Sequence, residues 1–300
     1  MFIFILTISI FTFTAFILFA FLTRNNAKLL YEKESPFHHI LVYEEGFIRT
    51  LRFGYDSDAG KQSRIDLRDL KTHLLEYTRL AFAGLLLNET PQRILIIGIG
   101  GGIIPRAMRD YFPDIEIDVV EIDPDVLDVA KMFFFFKSDK DLRVHLCDGR
   151  SFVRQEARKN PAGKYDMIIL DAYDEEYIPV HMVTREFLEH VAAILDPKGV
   201  VVANMLNDHR LFSPGFKTFR AVHGRCYVFM GRKTNNAILL SPGSEVPEFT
   251  TEMAVERAEL LQKRHPFTFN MNVIARQYRP HFRPKPWAKI LTDARLGVSL

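Results

Sequence analysis

The chain has 300 residues, 48% of them hydrophobic and 25% charged, which is too long for one minimal domain and suits a single α/β core with additions. Its 39 Lys and Arg against 37 Asp and Glu leave a formal charge of +2, so nucleic acid is not expected as the main partner. Cys147 and Cys226 have no metal-ligand spacing and make no disulfide framework, so both read as reduced thiols and no metal is expected.

Residues Met1 to Leu22 carry no charged side chain. As a helix that run spans ~33 Å, enough for a hydrocarbon core of about 30 Å, so residues 1–23 read as a single-pass membrane anchor. A cleaved signal peptide is the rival, but no basic region precedes the apolar run and no small-x-small site follows it cleanly. The first basic residues after it, Arg24, Lys28 and Lys33, place the remainder on the cytoplasmic side by the positive-inside rule.

Residues 37–53 read as a β-hairpin turning at Glu44, Glu45 and Gly46, within an N-terminal hairpin region taken as 35–65. His38 and His39 have no partner at metal spacing and receive no chemistry. The polar stretch YDSDAGKQSR reads as a loop, and Leu67 to Leu87, with Leu70, Leu74, Leu75 and Leu80 at helical intervals, as one helix. Apolar runs at 94–98, 117–123, 142–148, 165–171 and 199–205 then alternate with helical segments at 103–112, 124–135, 151–159 and 184–195. This alternation implies a mostly parallel sheet with helices on both faces, a Rossmann-like α/β domain over 66–264. Runs at 226–231 and 237–242 suit an antiparallel edge, followed by a helix at 251–264 and an irregular, proline-containing tail over 265–300. The aromatic run 133–136 cannot face inward at every position; core packing and contact with a bilayer both remain open.

Residues at the carboxyl ends of the strands carry the chemistry. Gly98, Gly100, Gly101 and Gly102 allow a tight turn and close approach of a nucleotide to the next helix, a pattern that also suits a dinucleotide. Glu121 ends the second strand about 20 residues later, where a carboxylate accepts both ribose hydroxyls. Asp148-Gly149 ends the third strand, placed to accept the adenine amino proton. Asp171 ends the fourth, with Tyr173 and Asp174 just beyond. This array exceeds what a dinucleotide enzyme needs and points to an adenosyl ligand.

Taken with SPFHHILVYEEGFIRTLRFG, Gln62-Ser63-Arg64, Tyr77, ILIIGIGGG, VVEIDPDVLDVAKMFF, CDGRSF and YDMIILDAYDEEYIPVHMVTREF, the chain resembles the spermidine synthase family from about Ser35 to Pro242, and LTDA at 291–294 resembles the tail of its membrane-associated members. The resemblance implies a class I methyltransferase fold, S-adenosylmethionine or decarboxylated S-adenosylmethionine as cofactor, and a small amine or polyamine as acceptor. It implies that Gln62 and the glycine loop hold the cofactor tail, Glu121 the ribose and Asp148 the adenine. Asp171 becomes the catalytic base, Asp174 a second cation-binding carboxylate, and Tyr77 and Tyr173 the walls of an amine channel, where simple packing remains their alternative.

Gly101 stands where such synthases carry an acid for the protonated aminopropyl tail, and Tyr77 is followed by Thr78 and Arg79 where they carry His or Gln after the tyrosine. Two other readings therefore remain: methyl transfer from intact S-adenosylmethionine, and a non-catalytic, membrane-tethered nucleoside-binding protein. The oligomeric state, a homo-oligomer included, is open.

Overall fold

A computed structural model of the chain describes residues 27–54, 61–159, 164–172 and 179–298. The expected anchor lies outside the described residues, as do Tyr173 and Asp174. Among the described residues no helix is long and apolar enough to cross a membrane.

The N-terminal region is larger than a hairpin. Strands β1 (Lys28–Glu34), β2 (His39–Glu45), β3 (Ile48–Phe53) and β4 (Lys61–Asp66) form an antiparallel sheet in that order. β2 and β3 pair about Gly46, which takes the positive φ (57°) that the tight turn requires. β4 contains Gln62 and Ser63, read from sequence as loop; its Ser63 and Ile65 are buried and alternate with the half-buried Gln62, Arg64 and Asp66, a pattern too short to register beside the polar stretch preceding it.

The helix expected over 67–87 is shorter. Asp66 and Asp69 carboxylates accept the amides of Arg68 and Lys71, bending the chain into turns. Helix α1 (Glu76–Leu80) starts where the buried Glu76 carboxylate accepts the amides of Arg232, Lys233 and Thr234 and the Gln277 side chain, then tightens to a 3-10 turn over Ala81–Leu86.

The alternation that follows matches the sequence reading. β5 (Arg93–Ile97), α2 (Ile103–Tyr111), β6 (Glu116–Glu121), α3 (Pro124–Phe134), β7 (Leu142–Leu146), α4 (Gly149–Lys159), β8 (Tyr165–Leu170), α5 (Arg185–Ile194), β9 (Leu195–Leu206), α6 (Phe212–His223), β10 (Tyr227–Met230) and β11 (Asn236–Pro242) build a sheet ordered β10-β11-β9-β8-β5-β6-β7. β9-β8-β5-β6-β7 run parallel; β11 and β10 add the antiparallel edge. The continuous apolar β5 serves both faces: Ile94 and Ile96 pack with Met108 and Val129, and Leu95 and Ile97 with Val153 and Phe187.

Helix α7 (Thr251–Arg264) follows, capped by the Thr250 side chain on the Met253 amide. The tail is packed rather than loose: Phe267 and Phe269 meet Phe82 and Tyr111, and short helices α8 (Met271–Ala275) and α9 (Asp293–Leu296) interrupt it. Of the four phenylalanines, Phe134 and Phe136 are buried, Phe133 packs on Tyr31, and Phe135 is exposed at φ 59°, ending α3 in the left-handed conformation.

Candidate active site

The chain runs from β5 to β6 and β7 on one side, then crosses back to β8 on the other. The sheet order therefore reverses between β5 and β8, and a crevice opens at their carboxyl ends. A cavity of about 240 Å³ lies there, lined among others by Gln62, Tyr77, Gly98, Gly100, Glu121, Asp148, Gly149 and Asp171. Residues from β4 to the end of β8 thus converge on one space.

Gly98 (φ 95°) closes β5 so near the end of β8 that an added Cβ would lie 2.4 Å from the Asp171 carbonyl oxygen. Only glycine fits this approach. The Asp171 amide donates to the Ile97 carbonyl (2.9 Å), which holds the head of the loop after β8 beside the glycine turn.

The Glu121 carboxylate accepts the Ile99 amide on Oε2 and the Asp123 amide on Oε1, both at 2.9 Å. It therefore braces the glycine loop and keeps further lone pairs for a ligand's hydroxyls. Burial raises its pKa, opposed by those two amides. Asp148 is held well below the usual carboxylate range, first by His181, whose Nε2 lies 3.7 Å from Oδ2, and then by the Ser151 amide at 2.8 Å from Oδ1. An ionised acceptor is thus fixed at the end of β7.

The Asp171 side chain accepts a bond from Asn204 Nδ2 (2.8 Å), and Asn204 Oδ1 in turn accepts one from Asn236 (3.1 Å). Burial pushes its carboxyl up to about 7, against the lowering effect of Asn204. Tyr77 donates its hydroxyl to the Gln62 carbonyl (2.6 Å), tying the N-terminal sheet to the cavity. Burial, reinforced by the nearby Asp171, raises that phenol well above 10, so it remains neutral.

Two of the expected glycines do not line this cavity. Gly101 and Gly102 are buried behind the loop and are not part of the cavity wall. A Cβ at Gly101 would lie 2.8 Å from Ser63 Cβ and 2.9 Å from the Phe134 ring, and one at Gly102 would meet Phe136 at 2.5 Å. The missing acid at position 101 accordingly reflects packing against Ser63 and Phe134. Arg79 also stays away, donating to the His73 carbonyl.

Sequence reasoning missed His38, Phe37, Phe53, His181 and Met182, all in the cavity wall, and Asn204 behind it. His38 stacks on Phe53 (centroids 4.0 Å apart) and places Nδ1 3.0 Å from the fully buried Asp123 carboxylate, which fixes the ring. The visible signal was an acid two residues after Glu121, with no spacing to connect it to a histidine 85 residues earlier. Among the described residues no cluster of three or more His, Cys, Asp or Glu is placed to hold a metal.

The methyltransferase-like α/β fold thus gathers a glycine turn and the carboxylates of Glu121, Asp148 and Asp171 at its strand ends. The spermine/spermidine synthase domain matches residues 75–218. The chain is 37% identical over 226 residues to the polyamine aminopropyltransferase of Vibrio vulnificus, covering 73% of each. Human methyltransferase-like protein 13, solved with SAH, superposes with a TM-score of 0.59 at 28% identity, over 71% of this chain and 97% of that one. A probable spermidine synthase from Corynebacterium glutamicum shares the fold with a TM-score of 0.66 at 19% identity, over 88% and 96%. The protein belongs to the spermidine synthase family and is a transferase of that type.

Proposed function

We propose that the protein transfers the aminopropyl group of decarboxylated S-adenosylmethionine to a polyamine. The observation that carries this reading is Asp171, a carboxyl with pKa near 7 at the edge of a cavity that also holds an adenosyl-type cradle. A bound sulfonium supplies an electrophilic carbon: the amine lone pair forms the new C–N bond while the C–S bond breaks and its electrons stay on sulfur. The protein's own tasks are to align the amine, exclude water and take a proton.

Asp171 accepts a proton from the acceptor's ammonium and so frees the lone pair that attacks, and Asn204 holds the carboxylate in orientation. Glu121 receives the ribose hydroxyls and Asp148 the adenine amino group. Gln62, Gly98 and Gly100 border the tail, and Tyr77 forms one wall of the amine channel. Asp174 and Tyr173, beyond the described residues, complete the acceptor side in this proposal. Residues 1–22 are proposed to anchor the chain in a membrane with the catalytic domain on its cytoplasmic face.

A second reading, methyl transfer from S-adenosylmethionine to an amine, draws support from the likeness to human methyltransferase-like protein 13, solved with SAH. Incubation with each donor plus putrescine, followed by mass analysis, separates them. Aminopropyl transfer yields methylthioadenosine and spermidine. Methyl transfer yields S-adenosylhomocysteine and a methylated amine.

A further inference from the structure

The last helix of the chain is joined to the cavity through one buried ion pair. Arg150, next to the cavity residue Gly149, and Asp293 in α9 are 8% and 6% exposed although 143 residues separate them. Arg150 Nη1 donates to Asp293 Oδ1 (2.9 Å), to the His181 carbonyl (2.7 Å) and to Thr184 Oγ1 (3.1 Å), while Nη2 donates to Asp293 Oδ2. The flanking backbone is fastened as well. The Asp293 amide donates to Glu186 (2.9 Å), the Arg185 amide to the Leu291 carbonyl (2.9 Å) and the Leu291 amide to Thr218 Oγ1 (2.9 Å).

We propose that Asp293 is a positioning residue of the adenosyl site, acting through Arg150 on His181. A buried ion pair returns little net stability compared with well-packed apolar residues, because desolvation offsets the attraction. What this pair supplies is direction. The guanidinium fork, fixed by Asp293, points a donor at the His181 carbonyl just before α5, where the chain returns to the cavity wall. His181 then presents its imidazole to Asp148 Oδ2, the oxygen left over once Oδ1 is committed to the Ser151 amide. In this proposal that oxygen receives the adenine amino group, so His181 sets its orientation and covers one edge of the base. Without Asp293 the guanidinium loses the partner that orients it, and the carbonyl loses a fixed donor.

This inference rests on the adenosyl reading of the cavity. The test uses the full chain and 5′-methylthioadenosine, which carries the adenosine common to both donors and neither charged tail. Asp293→Asn and His181→Ala are each expected to weaken its binding by about tenfold in calorimetry, and the double variant by no more than the larger single effect, because one residue acts through the other. In turnover, Asp293→Asn should raise KM for the donor and leave kcat at saturating donor nearly unchanged. Arg150→Lys, which keeps the charge and loses the fork, should reproduce the loss and keeps the test available should Asp293→Asn fail to fold. Native affinity in both Asp293→Asn and Arg150→Lys, or additive losses in the double variant, would overturn the proposal while leaving the adenosyl site in place. A native protein that does not bind methylthioadenosine would overturn both.

Discussion

Asp171→Asn removes the charge at the end of β8 while keeping a carbonyl oxygen for Asn204. Its consequence for stability follows from the folded and unfolded titrations of the native residue. The ordinary value of the carboxyl is 3.8, and burial brings it to about 7 in the folded protein. Between these values the unfolded chain has released the proton that the folded chain retains, so rising pH favours unfolding across that window and the penalty is complete above about 7. The interval corresponds to at most about 4 kcal/mol at ~1.4 kcal/mol per pH unit, and water reaching the cavity reduces it, so we expect about 1–3 kcal/mol. The variant should unfold at the native temperature near about pH 4 and a few degrees higher near about pH 8, as read by thermal unfolding monitored by circular dichroism. Transfer at about pH 8 should fall by about 10²–10⁴-fold in the same preparation, because no base remains to take the ammonium proton. A variant no more stable than native protein at about pH 8 would refute the buried-carboxylate argument, and one that turns over at the native rate would remove Asp171 from the chemistry.

Three other substitutions or truncations address separate parts of the site. Glu121→Ala should weaken methylthioadenosine by about 1–3 kcal/mol in calorimetry, through loss of charge-assisted bonds to ribose and of the brace on Ile99; unchanged affinity would exclude Glu121. Gly101→Asp should lower the thermal midpoint through collision with Ser63 and Phe134 and leave the ratio of donor affinities alone; a stable variant with a tenfold shift toward the decarboxylated donor would show that the loop turns the side chain into the cavity. The full chain should pellet with membranes, and a chain beginning at residue 27 should not; full-length protein in the supernatant contradicts the anchor.

The parallel core was legible because its strands are buried on both faces and therefore stand out as unbroken apolar runs such as Ile94–Ile97, separated by amphipathic helices. Strand ends then located Gly98, Glu121, Asp148 and Asp171, since ligands of such sheets bind at the carboxyl edge. What stayed illegible depends on contacts distant in sequence. Nothing local marks Glu76 as the acceptor of three amides near residue 233, so the helix start moved from Leu67 to Glu76. His38, His181 and Asn204 reach the site through Asp123, Arg150 and Asp171, and no spacing rule links them. Gly101 shows the converse: its place after β5 was legible, but its neighbours Ser63 and Phe134, distant in sequence, were not.

The most direct measurement is a single-turnover incubation of the native chain with decarboxylated S-adenosylmethionine labelled in the aminopropyl carbons, plus putrescine. Aminopropyl transfer places the label in spermidine, with one methylthioadenosine formed for each spermidine. Label remaining in the donor, while labelled S-adenosylmethionine passes its methyl group to an amine, would contradict aminopropyl transfer and establish the methyl reading in its place.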